Sequence, residues 1–158
     1  MTTLAQQLSL PMTVQVRRPL MDVAAARLFL DQDEDYVLSA IDSGLLPWAW
    51  DLRGLNAGRS EIRLWAPCVI ELAKALRENA IPKPDERPHS LVFSSLWKHT
   101  RPVLMSTEVF RVWNCGSSHV HNLIGAKLLT PTRTDCKCTN AVPLSRESVE
   151  KFMEERKL

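Results

Sequence analysis

Between residues 118 and 129 the apolar side chains fall at helical spacing. Val120, Leu123 and Ile124 stand at i, i+3 and i+4 on one face of a short helix, while Ser118 and Asn122 point the other way with His119 and His121 on the flanks. Residues 35–46, DYVLSAIDSGLL, lie at a constant offset of 83 from this stretch, SHVHNLIGAKLL. The segments just before them also match: allowing one insertion, Arg18-Pro19, Met21, Asp22, Arg27, Leu28 and Phe29 line up with Arg101-Pro102, Met105, Ser106, Arg111, Val112 and Trp113. Each copy therefore predicts a helix, a tight turn, a second helix and an apolar exit, with Asp22 and Ser106 as the expected N-caps of the leading helices.

Alternation takes over after each pair of helices. Trp48-Ala49-Trp50 and Ile62-Arg63-Leu64 predict two strands around a glycine-containing turn, and Trp48 and Trp50 share one face of the first. The second copy offers Leu128-Leu129-Thr130, a polar loop over 132–140, and Ala141-Val142-Pro143-Leu144, where Pro143 must stand on an edge strand or at its end. Both copies close with a helix. Pro67 opens one carrying Val69, Ile70, Leu72, Ala73 and Leu76, and Ser145 is the expected cap of one carrying Val149, Phe152 and Met153.

Residues 81–90 hold three prolines in IPKPDERPHS and predict a linker. Residues 91–100, with Leu91, Val92, Phe93, Leu96 and Trp97, are apolar enough to pack with the second copy, and the pattern does not choose between helix and strand. Residues 1–17 are rich in Thr, Gln and Ser, with one alternating run, Thr13-Val14-Gln15-Val16-Arg17, that fits a strand. The expected organisation is a tail over 1–17, a first module over 18–80, the linker over 81–90 and a second module over 91–158.

Composition adds two points. No apolar run approaches the ~18 residues that span a bilayer, and the first residues lack the basic-then-apolar order of a secretory signal, so the expectation is a cytoplasmic protein with Cys68, Cys115, Cys136 and Cys138 as thiols and no membrane partner. The net charge of +2 is unevenly spread: residues 1–21 carry +2, residues 22–80 carry −4 and residues 81–158 carry +4. An acidic first half and a basic second half point to different partners.

The ordered recurrence, from MSTEVFRVWNCGSSHVHNLIGAKLL to VPLSRESVEKFMEER and again from DVAAARLF to RLWAPCVIEL, resembles the excisionase and MerR-like winged helix-turn-helix superfamily. Arg146-Glu147-Ser148-Val149-Glu150-Lys151-Phe152 stands at the closing helix of that pattern, with Pro67-Cys68-Val69 at the place of Glu147-Ser148-Val149. The resemblance implies an α+β, mostly α, fold of two tandem winged helix-turn-helix modules, each with a small two- or three-stranded wing sheet. It also implies a sequence-specific double-stranded DNA-binding protein, nucleoid-associated, serving transcription, recombination or segregation. By position, Ser117, Ser118, His119, His121 and Asn122 would face DNA, with Arg133 and Lys137 on the wing and Lys127 at a phosphate.

The first copy departs from this pattern. Asp35, Ser39 and Asp42 replace Ser118, Asn122 and Gly125, and Asp31, Asp33 and Glu34 precede them. Like charges at about 4 Å repel by roughly 1 kcal/mol even in water, so this helix opposes docking on phosphates. Arg53, Arg59 and Arg63 on its wing are the residues expected to grip a DNA backbone. The competing expectation is an adaptor whose first module, with its tryptophans, binds a protein partner or a second copy of the chain while only the second module touches DNA.

Other chemistries fit the residues less well. Cys136 and Cys138 are separated by one residue, and His119 and His121 point about 200° apart on a helix, so the spacing does not suit a zinc site. A glycine-rich phosphate loop and a nucleophile elbow are missing from the sequence, and the expectation is a non-enzyme without cofactor.

Overall fold

A computed structural model describes residues 18–54, 58–83, 86–133 and 141–158. The expected N-terminal strand, Lys137, Cys136 and Cys138 lie outside the described residues. The described chain is α+β, about half helical, with seven helices and small antiparallel sheets. In the first half, β1 (Leu20–Asp22), α1 (Val23–Leu30), α2 (Glu34–Asp42), β2 (Ala49–Asp51), β3 (Ile62–Trp65) and α3 (Ala66–Arg77) follow in order. After α4 (His89–Leu96) come β4 (Val103–Met105), α5 (Ser106–Val112), α6 (Ser117–Gly125), β5 (Pro143–Ser145) and α7 (Arg146–Glu155).

The sheets match the repeated order of elements. β3 lies between β1 and β2, pairing Met21 with Leu64 and Trp50 with Arg63. β5 likewise lies between β4 and a single bridge at Pro131, with Leu104 and Pro131 both opposite Leu144. Pro143 is the first residue of β5, where its missing N–H costs least.

Backbone torsions repeat as well. Asp31 and Asn114, both at φ 52°, turn the chain left-handed between the paired helices, and Gly44 at φ 86° and Lys127 at φ 63° do so after the second helix. Both pairs are 83 positions apart. The same spacing relates the start of α1 to that of α5, so the leading helices align without an insertion. The reason lies at the helix starts. Asp22 is an N-cap, its carboxylate accepting from Ala25 N at 2.8 Å. Ser106, expected to be the matching cap, is instead the first residue of α5 and fully buried; its hydroxyl accepts from Val142 N at 2.9 Å, and Met105 takes the cap position with no side-chain bond. Ser145 caps α7 as expected, accepting from Ser148 N.

Residues 89–96 resolve as a helix, beginning inside the expected linker. Val92, Phe93 and Leu96 form its buried face, and this face meets the first half: the Phe93 and Trp50 rings lie 6.4 Å apart, and His89 stands 5.5 Å from Trp48. Residues 156–158 continue the contact. Lys157 bridges to Trp50, Asp51 N donates to Arg156 O at 3.0 Å and Leu158 N donates to Ala49 O at 2.9 Å, so this segment lies along β2. All five tryptophans are buried, and the Trp48–Trp50 face is therefore interior rather than an exposed docking surface. Buried side chains from Leu20 to Met153 form one core across both halves. Among the described residues, no helix is long and apolar enough to cross a membrane.

Candidate nucleic-acid interface

α6 follows the glycine-containing turn at Gly116, which serves as its N-cap without a side-chain bond. Val120 and Leu123 are buried against α5, the apolar stripe that holds the helix down. Ser117, Ser118 and Asn122 are exposed and His121 is half-buried, so these four of the five expected helix residues lie together on the outer side. Lys127 and Arg133 are also exposed, Lys127 at the left-handed position that ends the helix.

His119 does something else. Its Nε2 lies 2.6 Å from the carbonyl of Leu52, a residue of the first half. A carbonyl only accepts, so this nitrogen carries the proton and donates. The expectation that His119 faces DNA is replaced by a structural role, because its position on the helix flank turns it toward the neighbouring half.

Arg63 is a second correction. The sequence places it on a free wing surface, yet it is buried on β3. Its Nε donates to Trp113 O at 2.8 Å, its Nη2 to Asn114 O at 3.1 Å and its Nη1 to Ile62 O at 3.0 Å, while Glu61 Oε2 lies 3.1 Å from Nη2. The Trp113 carbonyl belongs to the negative end of the α5 dipole, which favours a cation there. Arg18 adds a bond to the Asn114 side chain. These bonds use four of the five N–H groups of Arg63 inside the protein, which takes it off the free wing surface.

Arg53 and Arg59 remain exposed. Arg59 lines a shallow cleft with Arg27, Glu34 and Glu61, a mixed-charge setting. Arg53 is better placed: its Nε lies 3.1 Å from Asp51 Oδ2, and Asp51 is itself fixed by accepting from Glu61 N at 3.1 Å. Arg156, which no pattern in the sequence singles out, donates to the Arg53 carbonyl at 3.1 Å and lies over the Phe152 ring. Next to it, Gly54 packs on α6, since a Cβ there would stand 3.8 Å from Leu123 Cδ2.

The corresponding helix of the first half, α2, exposes Glu34, Asp35, Ser39 and Asp42. Asp33 has a local task, capping α2 by accepting from Tyr36 N at 2.8 Å. Asp31 occupies the left-handed turn, a conformation that Asp tolerates better than most residues.

Cys115 sits behind this seam. Burial pushes its thiol up to about 11, Arg63 opposes the shift and Glu61 adds to it, so the sulfur stays protonated and a poor nucleophile at neutral pH. Among the described residues no group of three His, Cys, Asp or Glu side chains is arranged to hold a metal ion. In comparisons with known proteins, the chain matches no family model, no curated protein and no solved structure.

Proposed function

We propose that the chain binds double-stranded DNA in a sequence-specific manner, as two tandem winged helix-turn-helix units of which the second reads the bases. The observation that carries this reading is the outer side of α6, where Ser117, Ser118, His121 and Asn122 offer small, hydrogen-bonding groups without a carboxylate among them. Such groups suit the edges of bases in a major groove, Asn122 in particular for a bidentate bond to adenine. Lys127 and Arg133 would bind phosphate, and a regulator of transcription or an accessory factor in recombination or segregation is the corresponding role.

The experiment is a selection of duplex oligonucleotides by the whole chain, followed by anisotropy titrations. Asn122→Ala should erode the preference among sequences, whereas Arg133→Ala should weaken all of them alike. An Asn122→Ala chain that keeps both affinity and preference would rule α6 out as the reading helix.

One observation favours the adaptor reading for the first half. Leu28 is 85% exposed on α1, the helix that precedes the acidic α2, a combination that suits a basic, partly apolar protein partner. With Trp48 and Trp50 buried, any such contact would rest on α1 and α2 instead of the tryptophans.

A further inference from the structure

We propose that the two halves present one composite DNA surface, in which residues 52–54 of the first half, just after β2, supply a phosphate contact, Arg53, beside the outer side of α6. This rests on the reading of α6 as the DNA-facing helix.

The segment after β2 is fastened to α6 on both sides of Arg53: Leu52 O accepts from His119 Nε2 at 2.6 Å, and a Cβ at Gly54 would stand 3.8 Å from Leu123 Cδ2, so little space separates the two. Residue 53 is thereby carried along the helix, and its side chain is 44% exposed. Backbone and guanidinium are both tied, the former by Arg156 Nη1 at 3.1 Å and the latter by Asp51 Oδ2 at 3.1 Å from Nε.

The bonding pattern leaves the useful end open. Only Nε meets Asp51, and Nη1 and Nη2 make no hydrogen bond among the described residues. Two parallel N–H groups on a planar cation fit a phosphate, and a side chain already held in place loses less entropy on meeting one. Asp51 offsets part of the charge but also aims the group. Arg156 and Lys157 follow at the same seam, and neither makes an ion pair among the described residues, so the cations Arg53, Arg156 and Lys157 outnumber the Asp51 carboxylate that holds Arg53.

The seam is also fixed. The Arg63 bonds to Trp113 and Asn114 and the pairing of residues 156–158 with β2 hold the halves in one arrangement. One chain should therefore cover one continuous stretch of duplex, with Arg53 and α6 on it together, in place of two separate half-sites read by independent modules.

The test uses the full chain and a duplex selected by it, with a scrambled duplex as control, titrated over a range of salt. Arg53→Ala should lower affinity about ten-fold for both duplexes and reduce the salt slope by about one, with one duplex bound per chain. Its urea midpoint serves as the folding control. His119→Ala, a positioning change, should lose affinity in the same sequence-independent way, and combining it with Arg53→Ala should add little. If Arg53→Ala binds like wild type with an unchanged slope while Asn122→Ala loses sequence preference, α6 reads DNA and the composite surface is wrong. If no duplex is selected at all, the reading of α6 fails and takes the composite surface with it.

Discussion

Arg63 of β3 donates from Nε to the carbonyl of Trp113 at 2.8 Å, joining a strand of the first half to the end of a helix in the second. A charged side chain with this many directed bonds is expensive to remove. Arg63→Met should cost about 2–4 kcal/mol, because the buried Trp113 carbonyl and the half-buried Asn114 carbonyl then lose their donor. Arg63→Lys should recover only a fraction, since an ammonium cannot reproduce the fork that reaches two carbonyls. Urea unfolding of the three chains measures both values.

Phe93 gives the second prediction. It is a residue of α4 whose ring lies 6.4 Å from that of Trp50, so it belongs to the core of both halves. Phe93→Ala should destabilise by about 3–4 kcal/mol. Unfolding of the wild type should be one transition, with tryptophan fluorescence and circular dichroism coinciding. Two separated transitions would show that the halves unfold independently.

Alkaline pH supplies the third. The Cys115 thiol titrates at an ordinary value near 9.0 when unfolded and is pushed up to about 11 when folded. The folded chain therefore holds its proton longer, and the contribution is complete below pH 9 and lost as pH rises toward 11. Stability should fall across that window by on the order of 1–2 kcal/mol from this group, after allowance for its partial exposure. Cys115→Ser should flatten that part of the curve in a denaturation series.

Lys127 and Gly44 occupy equivalent left-handed positions, at φ 63° and φ 86°. Only glycine adopts these angles without strain, so Lys127→Gly should raise stability by about 0.5–1 kcal/mol and Gly44→Ala should lower it by about 1 kcal/mol. A Cβ at Gly44 meets nothing within 4 Å, which makes the second cost purely torsional. Thermal melts report both. In DNA titrations Lys127→Gly should weaken every sequence alike, and a chain that gains stability but keeps its affinity would remove Lys127 from the phosphate contacts.

The repeat is legible in the sequence because periodicity survives without a partner: Val37 and Val120, or Leu46 and Leu129, mark the same buried positions in both copies. Asp22 and Ser145 act as caps for the same local reason. Ser106 misleads because serine serves equally as a first helical residue when a neighbouring segment offers an N–H, here that of Val142 just before β5. The helix at 89–96 is ambiguous by pattern, since a short apolar run looks alike in either state and Pro88 stands at its cap position.

Tertiary docking is not legible at all. Three prolines suggest separation, whereas the halves share a core, and no local pattern says that Arg63 or His119 will find a carbonyl on the other half. Ser117, Ser118, His121 and Asn122, whose placement depends only on helix phase, lie on the outer side of α6, whereas His119 and Arg63, whose placement depends on docking, turn to the other half.

The pairing of residues 156–158 with β2 also bears on how the protein is made. During synthesis the first half leaves the ribosome with one side of its sheet uncovered and Trp50 without Phe93 or the segment around Lys157 beside it. Closing that loop is slow relative to local helix formation, and the exposed strand is an opportunity for pairing with another nascent chain. Residues 156–158 thus complete an edge of the first half's sheet that synthesis reaches only after the second half, and a change at Leu158 would be felt at Ala49, far back in the sequence.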